Sequence, residues 1–246
     1  MTTRESFDRL GLRYAAQSLD EIIAQAVRDH LSHQALLERV VDIEITQRSA
    51  AGYRRRRDRS RLGVLKPMSD FDWAHPRQLD RAAIERALSL DFLPDGNLVL
   101  LGPTGSGKSL IAKNVVHQAL AAGHSALFVE LVDLVRDLAA CATGPALERR
   151  LRHYSRPRLL CIDEVDYRTI DLRGAELLYE VVRRRHERRS TLVTTTRLFS
   201  DWPALFPSSL CAVAIVDRLM HKADVIAIDA DSYRHKEARS RAARVP

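Results

Sequence analysis

The eight residues Gly102-Pro103-Thr104-Gly105-Ser106-Gly107-Lys108-Ser109 have the make-up of a phosphate cradle. They match G-x-x-x-x-G-K-[ST] throughout. They also stand where that motif must stand, after the apolar run NLVLL and ahead of a helical pattern at Leu110. Gly105 and Gly107 let the backbone curl, so that successive amides point inward at phosphate oxygens. The start of the following helix adds partial positive charge. Lys108 is placed to reach the β- and γ-phosphates and Ser109 to ligate magnesium, which predicts ATP and Mg2+ as ligands.

Three further positions fit the same chemistry. The run Leu159-Leu160-Cys161-Ile162-Asp163-Glu164 is an apolar strand that ends in two acids. An acid at that edge of an open α/β sheet lies where ligands bind, so Asp163 is expected in the magnesium shell. Glu164 can polarise the attacking water as general base, although the two acids could also cap the next helix. At the end of the run 191–195, Thr196, or less favourably Thr195, offers a hydroxyl to the γ-phosphate or to water. Arg218, in Val216-Asp217-Arg218-Leu219-Met220, closes the last long helical segment. It is expected to act in trans on a neighbouring subunit's nucleotide, with an intrachain Asp217–Arg218 pair as the alternative.

The elements that must position these groups alternate between strand and helix, the signature of a parallel α/β sheet. Residues 97–101, 126–129, 159–163, 191–195 and 225–228 read as strands, short and apolar enough to be covered on both faces. Residues 79–88, 110–122 and 175–189 read as helices. Ahead of this core, Ser18-Leu19-Asp20-Glu21 reads as a capping box opening a helix with a Leu19/Ile22/Ile23/Ala26/Val27 stripe. Ser32 caps a second helix striped by Leu36, Leu37, Val40 and Val41. Pro67, Ser69 and Pro76 punctuate a predicted linker, with Phe71 and Trp73 as anchors onto the next domain.

The 246 residues carry a formal charge of +7, which favours a polyanionic partner, nucleic acid before membrane surface. Arg54, Arg55, Arg56, Arg57, Arg59 and Arg61 form the densest run and are the candidate DNA contacts; a solvated face is the alternative. Aromatics make up only 6% of the chain, so no stacking platform for single strands stands out. The three cysteines have no metal-ligand spacing. No apolar run suits a bilayer and the N-terminus is polar, which together predict a cytoplasmic protein without a membrane partner.

In their order, these residues resemble the AAA+ superfamily, and within it the IstB-like family of insertion-sequence transposition helper ATPases. The resemblance is carried by the Arg-rich end of the helical unit, Asp70-Phe71-Asp72-Trp73, GPTGSGKS, and Ile162-Asp163-Glu164 followed by Tyr167. Phe199-Ser200-Asp201-Trp202, Asp217-Arg218-Leu219 and Asp231-Ser232-Tyr233-Arg234 complete it. It implies an AAA+ P-loop core with a parallel five-stranded sheet and no C-terminal helical lid (79–246). Ahead of that core it implies a linker (64–78) and a small all-α DNA- and partner-binding domain (1–63). It further implies an ATPase that assembles as an oligomer on duplex DNA and recruits a cognate transposase. The alternative is a DnaC-like replicative helicase loader, which has a similar core. Two departures stand out. Thr196 replaces the family's usual Asn, a shorter group without an amide, so slow hydrolysis is expected. Gly52 stands in what is usually a continuous helix, at about 1 kcal/mol relative to Ala.

Overall fold

The computed structural model describes residues 2–93, 95–165, 170–231 and 233. Its helices are α1 (Thr3–Arg9), α2 (Arg13–Gln17), α3 (Leu19–Arg28), α4 (His33–Arg59), α5 (Arg81–Ser89), α6 (Lys108–Ala121), α7 (Leu131–Ala139), α8 (Gly144–Ser155), α9 (Leu172–Arg185), α10 (Trp202–Leu205) and α11 (Ser209–Met220). Its strands are β1 (Gln78–Leu79), β2 (Asn97–Leu101), β3 (Ala126–Glu130), β4 (Leu159–Asp163), β5 (Ser190–Thr195) and β6 (Ala223–Asp229). All five predicted strands form, and β6-β2-β5-β4-β3 are parallel in that order. The two-residue β1 adds an antiparallel edge on β6 that the apolar pattern was too short to reveal. Among the described residues no helix is long and apolar enough to cross a membrane.

The strand order fixes where a ligand can sit. From β2 the chain travels to the far edge at β3 and steps back through β4 to β5. It then passes over β2 to reach β6. Right-handed crossovers in opposite directions put α6 on one face and α7, α8, α9 and α11 on the other. The connections leaving β2 and β5 part in opposite directions, so a crevice opens beyond their C-terminal ends, the usual ligand position in such sheets. The core backs this edge on both faces: Ile111, Ala112, Val115 and Val116 of α6 are fully buried, as are Leu134, Val181 and Ile215 opposite.

The chain separates into two compact units, Met1–Arg56 and Arg57–Pro246. The boundary expected at residue 63 is therefore earlier. Residues 57–62 belong to the core unit because Ser60 and Leu62 are buried and the Ser60 carbonyl accepts the Phe128 amide of β3 at 2.8 Å. Residues 64–78 are tied down too. The Asn114 side chain donates to the Lys66 carbonyl at 2.9 Å, Phe71 is buried, and Gln78 and Leu79 pair with β6. Helix α4 runs unbroken through Gly52.

In the helical unit, Ser18 does not cap. It closes α2 and opens α3 at φ −100°, ψ 9°, outside the extended conformation that a capping side chain needs. A capping box does form at Thr2 and Glu5, and Ser32 accepts from Ala35 as expected, at 3.2 Å. The start of α2 is served from a distance: Glu44 accepts the Tyr14 and Ala15 amides at 2.8 and 3.0 Å and is gripped by Arg48. Burial pushes the Glu44 carboxyl up, but the Ala15 amide, Arg48 and the Tyr14 amide outweigh it and hold it below the ordinary 4.5. A depressed folded-state value means that this stabilisation is full above pH 4.5 and fades as pH falls through the folded value. Glu44→Ala should cost the helical unit about 1–3 kcal/mol by orphaning two amides. Hydrogen exchange at Tyr14 and Ala15 should show wild type converging on the variant in acid; parallel curves would contradict this.

Candidate nucleotide site

The phosphate loop occupies the crevice at the end of β2. Gly105 and Gly107 adopt φ of 81° and 94°, a region that suits glycine. Gly102 and Gly107 are also sterically required. A Cβ on Gly102 would lie 2.4 Å from the Ile228 carbonyl, and one on Gly107 would lie 2.6 Å from the Phe71 ring. Phe71, in an edge contact with Trp73, therefore anchors on the loop itself. The Tyr233 amide donates to the Gly105 carbonyl at 3.1 Å. The segment leading there is held by Arg77, which grips Asp231 at 2.7 and 2.9 Å. Tyr167, Ser232 and Arg234 lie outside the described residues.

Lys108 opens α6 and is buried, its Nζ donating to the Gly102 and Pro103 carbonyls at 2.7 and 2.8 Å. The next residue, Ser109, donates to the Asp163 carboxylate at 3.1 Å. Residues that are far apart in the sequence are thus brought together across β2, β5 and β4. The Ser106 hydroxyl is buried against the loop with no hydrogen-bond partner among the described residues. Pro103 and Thr104 complete the loop, and Leu110 lies in the first turn of α6.

One polar group here was not expected from the sequence. Thr194, only 1% exposed, donates to Asp163 Oδ1 at 2.5 Å and accepts the Glu164 amide at 3.0 Å. The Val165 amide bonds the Thr194 carbonyl at 3.0 Å. Glu164 itself is exposed at φ 57°, a left-handed conformation costing a non-glycine residue about 1–2 kcal/mol. Thr194 offsets that strain through the Glu164 amide. The signal was register: Ile162 pairs with Val193, so the next step sets Thr194 beside Asp163.

The other hydroxyls of the run divide differently. Thr195 is buried and bonded to the Arg197 backbone, its Oγ1 accepting the amide at 3.1 Å. The Gly102 amide bonds the Thr195 carbonyl at 3.1 Å, so Thr196 leaves the sheet beside the phosphate loop, exposed. Arg218 is not gathered into this site. The carbonyls of Arg218 and Leu219 bond the Asn97 side chain at the opposite end of β2, about 16 Å along the strand. The Arg218 guanidinium bonds the Ala214 carbonyl at 2.8 Å and lies over the Tyr179 ring, rather than pairing with Asp217.

The arginine run is split by its surroundings. Arg54, Arg55 and Arg59 are exposed, and Arg56 lies against Gly52. Arg57 bonds the Gly63 carbonyl at 2.5 Å. Arg61 turns onto the core, bonding the Tyr154 hydroxyl at 3.2 Å with Asp137 at 3.5 Å. Burial and the Asp137 hydrogen bond push that phenol up to about 12.

The strand order, the phosphate loop after β2 and the acidic end of β4 define a P-loop domain of the AAA+ type. Residues 6–242 match the family of IstB-like ATP binding proteins, and the chain belongs to that family. It is 31% identical over 232 residues to an insertion-sequence IS21 protein of Pseudomonas aeruginosa, covering 94% of this chain and 88% of that one. An IS5376 protein of Geobacillus stearothermophilus is 30% identical over 232 residues, covering 94% and 92%. Among solved structures, the fold is similar to that of DnaI, with TM-score 0.55 and 18% identity over 70% of this chain and 90% of that one. AMPPCP-bound DnaA from Aquifex aeolicus gives TM-score 0.58 and 15% identity over 74% and 56%.

Proposed function

We propose that this chain is an ATP-hydrolysing transposition helper that assembles on duplex DNA and recruits a transposase, with hydrolysis as the switch. The observation that carries the reading is the convergence of Lys108, Ser109, Asp163 and Thr194 at the crevice of an IstB-like chain. The loop fits a triphosphate: its amides are curled by left-handed glycines, and the buried Ser106 hydroxyl is left for an oxygen acceptor. Ser109 and Asp163 fit Mg2+, which when bound would neutralise phosphate charge. Among the described residues no cluster of three or more His, Cys, Asp or Glu could hold a metal. Such an ion would therefore depend on one carboxylate, one hydroxyl and the substrate phosphates, as Mg2+ commonly does.

Glu164 takes the proton of the attacking water, Thr194 holds Glu164 and Asp163 in register, and Thr196 orients water or the γ-phosphate. Arg218, remote from its own loop, serves a neighbouring copy. Thr194→Val keeps the branched shape but removes the hydroxyl. It should lower ATP turnover and raise the Mg2+ requirement by about 10–100-fold. Thr194→Ser should restore both, and a Val variant with wild-type Mg2+ dependence would overturn the positioning role. The function as a whole is tested by incubating the protein with ATP and duplex DNA, imaging the assembly, and identifying what co-purifies. A transposase supports the reading; a replicative helicase together with preference for single strands would replace it.

A further inference from the structure

At the end of the sheet opposite the phosphate loop, the ends of α8 and α9 and the turn that precedes β5 line an open surface cavity of about 1060 Å³. Arg152, Arg156, Arg183, Arg184, Arg188 and Arg189 line it. Some of this charge is expected, since arginine in a last helical turn complements the helix dipole. The remainder is not. Arg184 and Arg152 bond Glu148, and Arg183 and Arg184 bond Glu180. Glu187 faces His221 at 3.4 Å. Among the described residues Arg156, Arg188 and Arg189 have no carboxylate partner, and all three are exposed.

Between the lining residues Arg184 and His186 stands a buried cation. Arg185 is 1% exposed and bonds the Tyr154, Ser155 and Pro157 carbonyls at 3.0, 3.2 and 2.9 Å, together with the Ser190 carbonyl. It thereby fastens the end of α8 to the turn between α9 and β5. Burial, then the Arg189 charge, push this guanidinium down to about 9, so it keeps its proton at neutral pH. The Arg184 and Arg152 side chains hold Glu148 down at about 2. Arg152, Arg183 and Arg184 are thus held by Glu148 and Glu180, while Arg156, Arg188 and Arg189 stand beside them without a carboxylate among the described residues.

We infer that this corner is a binding surface for the phosphodiester backbone of duplex DNA. The assignment rests on the duplex-binding function proposed for the chain. Planar guanidiniums suit bidentate phosphate contacts, and three of these have no carboxylate competing for them among the described residues. No Phe, Tyr or Trp lines the cavity, so it offers backbone contact without a platform for unstacked bases. Its place opposite the phosphate loop lets ATP and DNA bind the same subunit together. By contrast, Arg57 and Arg61 of the arginine run are already committed within the core unit.

The test is the salt dependence of binding to a short labelled duplex, with ATP affinity measured alongside. The triple variant Arg156→Ala, Arg188→Ala, Arg189→Ala should bind at least about tenfold more weakly, its log–log salt slope flattened by ~0.9 for each phosphate that is no longer neutralised. ATP affinity should be unchanged. Arg156→Ala alone, a lesser threat to the fold, should flatten the slope in the same direction, by the ~0.9 that a single phosphate accounts for. An unchanged slope and affinity in both variants would overturn the assignment. So would abolished ATP turnover with unaltered duplex binding, which would give the corner to a neighbouring copy. Failure of the wild type to bind duplex at any salt would instead overturn the proposed function, and this surface with it.

Discussion

Lys108→Ala should weaken ATP binding by about a hundredfold or more and abolish nucleotide-driven assembly. The Lys108 ammonium is buried at the mouth of the loop on two carbonyls. It is therefore already desolvated and aimed before any phosphate arrives. Each charge-assisted hydrogen bond that the ammonium would make to phosphate is worth about 1.5–3 kcal/mol, and one to each of the β- and γ-phosphates amounts to at least about two decades of affinity. Titration with a fluorescent ATP analogue, with thermal unfolding as control, reads the effect directly. Wild-type affinity in a folded variant would remove Lys108 from the site.

Glu164→Gln should separate binding from turnover. The substitution preserves size, and the backbone at φ 57° stays held by Thr194 through the Glu164 amide, a main-chain group that the substitution keeps. Loss of a positioned general base lowers rate by about 10²–10⁴-fold, while ATP affinity stays within about twofold on the same grounds. Single-turnover assays with the variant trapped in its ATP-bound assembly would show this. Equal turnover in wild type and Glu164→Gln would mean that Glu164 is not the base, and would leave ATP as a ligand that holds copies together.

The sheet and the phosphate loop were legible because each left a local signal: apolar runs of strand length, and a motif in which every position has a backbone reason. Asp163 was legible from its place at the end of such a run. Thr194 was hidden because three threonines stand in a row. Only the pairing of β4 with β5 selects the one that reaches Asp163. Ser18 misled because a cap needs an extended backbone, and Ser18, the single residue between α2 and α3, closes one helix while opening the next. The segment 64–78 looked like a linker from its prolines, yet Phe71 fills the space that a glycine leaves open on the phosphate loop. Composition alone could not foresee that long-range fit. The arginine run showed its charge in the sequence, whereas the commitment of Arg57 and Arg61 to partners became visible only in three dimensions.

An ATP-operated grip on duplex DNA is tested most directly by duplex affinity at one fixed salt concentration, with ATP, with ADP and without nucleotide, in wild type and Lys108→Ala. The predicted result is tightening by ATP of about 5–150-fold over the other two states in wild type, and none in the variant. Duplex binding by wild type that is indifferent to nucleotide would contradict it.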